Sequence, residues 1–71
     1  MNCMIIDDET MSRRILEEFI RKTDGLTLLH SYADPVDGIN QLKKSGGVDL
    51  IFLDIEMPEM TGIDFMNSLR N

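Results

Sequence analysis

Along this chain, short unbroken apolar runs alternate with segments whose apolar residues recur at helical spacing. Cys3-Met4-Ile5-Ile6 is a continuous apolar run that stops at Asp7. A run without alternation suits a strand buried on both faces, as in a parallel sheet. Met11, Ile15, Leu16, Phe19 and Ile20 follow at helical spacing and predict an amphipathic helix from Thr10 to Lys22. Asp8 and Glu9 stand at its start, where carboxylates suit the helix dipole. Asp24-Gly25 stops it, with glycine supplying a left-handed turn.

Leu26 to Tyr32 reads as a second strand, with Leu26, Leu28 and His30 alternating against Thr27, Leu29 and Ser31. That mixed pattern suits an edge position. Asp34-Pro35-x-Asp37 announces the second helix. Asp34 can cap it, Pro35 fits the first helical position, and Asp37 stands where a capping-box acid would. Val36, Ile39 and Leu42 form its expected buried stripe, and Ser45-Gly46-Gly47 ends it. Leu50-Ile51-Phe52-Leu53 is a third, wholly apolar strand, again terminated by an acid, Asp54. Met57-Pro58 marks a loop, because proline pushes the preceding residue out of helix. Thr61-x-x-Asp64 opens a third helix with Ile63, Met66 and Leu69 on one face. Strands alternating with helices predict an α/β fold of parallel βαβ units with right-handed crossovers.

Size and charge narrow the function. The sequence has 71 residues, below the ~100–200 of a complete domain, and can bury one small core. The single cysteine rules out an internal disulfide, and with one histidine there is no zinc site. Cys3 reads as a buried core thiol, and the six methionines as core filler. Thirteen acids against seven bases give a net charge of −6, a poor fit to nucleic-acid binding by this segment. Arg13–Glu17 and Glu17–Arg21 stand at i,i+4 spacing, the pattern of a solvated helix face. The apolar runs are too short for a membrane helix, and the N-terminus lacks a signal-peptide stretch, so a cytoplasmic location is expected.

The chemistry lies in the two acid-tipped strands. Ile6 runs into Asp7-Asp8-Glu9, and Leu53 runs into Asp54. Parallel neighbours ~4.8 Å apart would bring Asp7, Asp8 and Asp54 to one point. A strand order of 2-1-3 makes that point the switch position where open α/β sheets bind ligands. Two carboxylates ~5 Å apart repel by roughly 3 kcal/mol at an effective dielectric of ~20. Protonation or a hard cation relieves this. Magnesium suits, since it takes oxygen ligands and typically binds one or two carboxylates plus a phosphate. A metal-held, exposed carboxylate can attack phosphorus to give an aspartyl phosphate. Each element alone has a plainer meaning: Asp7-Asp8-Glu9 as a helix start, Asp54 as a turn residue, His30 as an inert strand residue. Asp54-Ile55-Glu56 fails as a calcium loop because Glu59 stands where glycine is required. No phosphate-cradling glycine loop is present, so the phosphoryl group must come from another molecule.

Ile5-Ile6-Asp7-Asp8-Glu9 and Leu50-Ile51-Phe52-Leu53-Asp54-Ile55-Glu56-Met57-Pro58-Glu59-Met60-Thr61-Gly62 resemble the two signature segments of response-regulator receivers, at the family's spacing. The resemblance spans residues 1–71 and corresponds to the first three of five βα units, a partial receiver. It implies a flavodoxin-like parallel sheet with helices on both faces and a 2-1-3 order for these strands. It implies Asp54 as phosphoacceptor, Asp8 as a direct Mg2+ ligand, Asp7 as a ligand through water, and the Glu56 carbonyl as a further ligand. Met57-Pro58 and Gly62 would shape the loop beyond Asp54. The donor would be a phosphohistidine on a sensor histidine kinase. The phrasing most resembles receivers that precede LytTR-type DNA-binding domains, so the parent protein would regulate transcription.

In the family a Ser or Thr ending the fourth strand and a Lys ending the fifth also contact the phosphoryl group, and both positions fall beyond Asn71. The third strand would then be an open apolar edge, which predicts a homodimer or oligomer that covers it. Any catalysis would be self-directed rather than that of a free-standing enzyme. Two alternatives remain open here. One is an interaction or structural fragment that is never phosphorylated and pairs through the open edge. The other is a small flavin-binding domain, disfavoured because Asp7-Asp8-Glu9 would repel a phosphate where that fold needs a Ser/Thr/Gly-rich loop.

Overall fold

The computed structural model describes residues 1–54 and 62–70, with side-chain surroundings for all of these except 62, 65, 69 and 70. Six elements alternate: β1 (Asn2–Asp7), α1 (Thr10–Arg21), β2 (Thr27–Tyr32), α2 (Pro35–Ser45), β3 (Leu50–Asp54) and α3 (Gly62–Arg70). The three strands form one parallel sheet in the order β2-β1-β3. This is the expected α/β receiver-like arrangement.

β1 is the central strand, and its unbroken apolar run is the reason. Cys3, Met4, Ile5 and Ile6 are all fully buried. Their alternation feeds two cores, one on each face of the sheet. Met4 and Ile6 pack with Ile39 of α2, joined by Tyr32, Leu42, Val48, Ile51 and Leu53. Cys3 and Ile5 pack with Ile20 of α1, joined by Leu16, Leu26, Leu28, Leu50 and Phe52. The start of the sheet is pinned in register from both sides. Thr27 N–H donates to the Met1 carbonyl (2.8 Å), and Asp49 N–H donates to that of Asn2 (2.8 Å). Asn2 N–H in turn donates to Asp49 Oδ2 (2.8 Å).

Three boundaries and two faces differ from the sequence expectation. β2 begins at Thr27 because the Leu26 N–H is used by the preceding turn, donating to the Thr23 carbonyl (3.3 Å). α1 ends at Arg21, ahead of Gly25. Thr23 takes over the last carbonyls, its N–H donating to Ile20 O (3.2 Å) and its hydroxyl to Phe19 O (2.6 Å). Gly25, at φ 89°, turns the chain into β2. β3 extends through Asp54 itself.

The face of α2 is corrected more substantially. Val36 is 50% exposed, and the row Pro35, Gly38, Ile39 and Leu42 meets the sheet instead. That row follows the i, i+3, i+4, i+7 pattern, and Val36 lies about a quarter-turn away from it. Gly38 permits the close approach, since a Cβ there would collide with Ile6 Cδ1. Asp34 caps the helix as expected, its Oδ1 accepting from Val36 N–H (2.9 Å), with Pro35 in the first turn.

The apolar stripe of α1 divides. Ile20 is buried and Leu16 half-buried against the sheet, whereas Met11, Ile15 and Phe19 form an exposed ridge. At its end, the Phe19 ring meets Phe52 of β3 edge to face, centroids 6.5 Å apart. Ile63 and Met66 of α3 are likewise exposed, and Leu69 lies outside the residues whose side chains are described.

Candidate functional site

The parallel register carries the acids to a single end of the sheet. Asp7 and Asp54 are Cα partners at the last position of the β1–β3 ladder. Neighbouring strands stand ~4.8 Å apart, so two carboxylate-bearing residues share one rim. Their surroundings differ sharply. Asp7 is 1% exposed, whereas Asp54 and Asp8 are exposed.

Asp7 is held by local geometry. Its Oδ1 accepts the Glu9 N–H (2.9 Å), closing a turn at the β1–α1 junction. Its Oδ2 is buried with no hydrogen-bond partner among the described residues. Its carbonyl accepts from Arg13 Nη1 (3.0 Å). Leaving a buried carboxylate oxygen unpaired is costly, so the site favours a cationic or donor ligand.

Glu9 is the N-cap of α1. Its carboxylate accepts from Met11 N–H (3.0 Å), Ser12 N–H (2.8 Å) and the Ser12 hydroxyl. The Ser12 hydroxyl bond, followed by the backbone donors of Ser12 and Met11, holds the Glu9 carboxyl below its usual range, and the Arg13 charge adds to this. The sequence placed Asp8 and Glu9 together at the helix start, and the structure separates them. Glu9 caps, and Asp8 is left exposed at the strand ends.

The structure thus brings Asp7, Asp8 and Asp54 to one rim. Among the described residues, no three acidic, histidine or cysteine side chains are grouped as a ready-made metal cage. The Glu56 carbonyl and the Met57-Pro58 loop lie outside the described residues. A hard oxygen-seeking cation nonetheless fits the donors present, because all are carboxylates and one buried oxygen lacks a partner.

Helical spacing predicts Arg13 and Glu17 as a pair on a solvated face, and they do approach (Nε to Oε2, 4.0 Å), but both side chains are largely shielded. Arg13 also reaches back to Asp7, and Glu17 accepts from the Ser31 hydroxyl of β2 (2.7 Å). Arg21 pairs with Glu18 (3.9 Å) rather than with Glu17. Helical spacing foretells the ion pair but not a six-residue reach back to a carbonyl. His30 stacks on Tyr32 within β2, ring centroids 5.9 Å apart.

Comparison with known proteins follows the same outline. Residues 3–71 match the family model described as the response regulator receiver domain. The chain is 33% identical over 93% of its length to a protein-glutamate methylesterase/protein-glutamine glutaminase of Shewanella denitrificans, covering 18% of that protein. It is 36% identical over 97% of its length to stress response regulator protein 1 of Scheffersomyces stipitis, covering 24% of it. It is 33% identical over 99% of its length to a cyclic di-GMP phosphodiesterase response regulator of Xanthomonas campestris, covering 18%. The chain therefore spans about a fifth to a quarter of the length of these relatives.

Proposed function

The chain belongs to the response regulator receiver domain family, and from that premise we propose that it accepts a phosphoryl group on Asp54. The donor is a phosphohistidine of a sensor histidine kinase. A carboxylate oxygen of Asp54 attacks phosphorus, the P–N bond breaks, and its electron pair returns to the departing imidazole. The product is an aspartyl phosphate. Asp54 suits the role because it is exposed at the end of β3, where a donor can reach it.

Asp7, Asp8, Asp54 and the backbone carbonyl of Glu56 would hold Mg2+. When bound, the ion neutralises charge on the phosphoryl oxygens. Asp7 contributes a carboxylate fixed through the Glu9 N–H, with its second oxygen left unpaired. The single observation that carries this reading is that unpartnered buried oxygen, on the residue in register with Asp54.

The receiver would govern an output domain in a longer protein. We assign that output to the LytTR-type DNA-binding class, on the phrasing of the signature segments, with DNA contacted by the output domain rather than by this acidic segment. A cytoplasmic location is part of the proposal. No helix among the described residues is long and apolar enough to cross a membrane.

The test is incubation of the chain with acetyl phosphate and Mg2+, read by intact mass. One phosphoryl group should be gained, and both Asp54→Asn and chelation should abolish the gain. Equal uptake by Asp54→Asn would reject the assignment.

A second reading is favoured by a separate observation. β3 pairs only with β1 among the described strands, and Phe19, which ends the exposed α1 ridge of Met11, Ile15 and Phe19, meets Phe52 of β3. This suits self-association of a chain that is not phosphorylated, with a second copy covering the β3 edge.

A further inference from the structure

Arg13 makes a contact that neither a solvated helix face nor a simple ion pair requires. Its Nη1 donates to the carbonyl of Asp7 (3.0 Å), six residues back, across the β1–α1 junction. Its Nε faces Glu17 Oε2 at 4.0 Å, and both side chains are largely shielded from solvent. That same Glu17 oxygen accepts the Ser31 hydroxyl of β2 (2.7 Å). A continuous polar chain therefore runs from the edge strand, through α1, to the residue carrying the unpaired carboxylate oxygen.

We propose that Arg13 is a positioning residue of the acidic site. Its guanidinium, braced by Glu17, clamps the main chain where β1 gives way to Asp8, and so sets how Asp7 and Asp8 stand relative to Asp54. This rests on the reading of the site as a metal-assisted phosphoacceptor and adds a residue to it. In this role Arg13 would touch neither phosphate nor metal. It acts on the main chain at Asp7, just as partners behind metal ligands fix those ligands in place.

Clamp and counter-charge make opposite predictions. A cation near the carboxylates repels a dication, so deleting a mere counter-charge would tighten metal binding. Deleting a clamp would weaken it. The fold should survive Arg13→Ala, because alanine is a good helix former and the residue 13 N–H keeps its bond to the Glu9 carbonyl (3.0 Å).

The experiment compares the 71-residue chain with Arg13→Ala, Arg13→Lys and Glu17→Ala. Mn2+ alone is titrated by calorimetry, amide exchange at Glu9 is followed by NMR, and thermal unfolding serves as a folding control. Glu9 N–H donates to Asp7 Oδ1, so its exchange reports the clamp without any metal. Arg13→Ala should weaken Mn2+ binding about tenfold and speed Glu9 exchange several-fold. Arg13→Lys, which keeps a donor, should recover part of both effects, and Glu17→Ala should fall between. Unchanged Glu9 exchange in Arg13→Ala overturns the proposal, as does Mn2+ affinity that is unchanged or tighter. A parent chain that binds no Mn2+ rejects the metal reading of the site instead, and Glu9 exchange then decides the role of Arg13.

Discussion

Asp7 and Asp54 are register partners at the last rung of the β1–β3 ladder, one buried and the other exposed. Two ionised carboxylates at that rung would work against the sheet, and a cation held between them would remove that cost. Water around Asp54 screens the repulsion, which keeps its cost to about 1 kcal/mol or less in the metal-free chain.

Asp54→Asn should therefore raise the unfolding free energy slightly without metal. With Mg2+ the order reverses. A ligand at a hundred times its dissociation constant stabilises the parent by about 2.7 kcal/mol, and the variant should lose most of that gain. Urea unfolding with and without Mg2+ checks both halves, and identical responses of the two chains would contradict the site.

Gly38 sets the distance between α2 and the sheet, because a Cβ there would strike Ile6 Cδ1. Gly38→Ala should destabilise by about 1–2 kcal/mol, overpacking outweighing the better helix propensity of alanine. Ile6→Val removes Cδ1, the nearer of the two Ile6 atoms a Cβ at residue 38 would meet, keeps Cγ1, and costs about 1 kcal/mol by itself. The double variant should be more stable than the sum of the two single effects allows. Denaturant midpoints for the four chains measure the coupling, and strict additivity would place the clash elsewhere.

Glu9 carries a pH signature. Its carboxyl sits below the usual 4.5, chiefly through the Ser12 hydroxyl bond. A carboxyl depressed in the folded state contributes stability above its unfolded pKa and loses it as pH falls through the folded value. The parent should thus lose helix content on acidification below about pH 4.5 more steeply than Glu9→Gln. Circular dichroism across the acid limb tests this, and parallel limbs would show that the cap contributes nothing ionic.

Most of this architecture was legible because it depends on periodicity and termination. The acid that stops each apolar run also marks the strand end, so β1 and β3 were readable nearly to the residue, as was Asp34 at the start of α2. What periodicity could not show was which part of an apolar stripe meets a neighbour. Val36 reads as a stripe residue, yet Gly38, invisible to a hydrophobic pattern, makes the closest approach. The α1 stripe likewise holds two ridges, and the structure buries only the Leu16–Ile20 side. For the site, the sequence supplied Asp7, Asp8 and Asp54 as a set. The capping role of Glu9 and the reach of Arg13 to a backbone carbonyl depend on side-chain directions that spacing does not encode.

The exposed ridge leads to a prediction about association. Met11, Ile15 and Phe19 lie in the open, and Phe19 meets Phe52 of β3, a strand whose outer edge has no partner among the described residues. If a second copy covers that edge and reaches the ridge beside Phe19, Ile15, the middle residue of the ridge, enters the contact. Ile15→Lys changes an exposed side chain, so its effect on monomer stability should stay within about 0.5 kcal/mol. In the contact, however, it would bury a charge from each copy with no counter-charge supplied. Sedimentation over a range of concentrations should show the parent associating and Ile15→Lys shifted toward monomer, while the two melt alike at high dilution. A parent that remains monomeric at high concentration, or a variant that associates equally well, would remove the second copy from consideration.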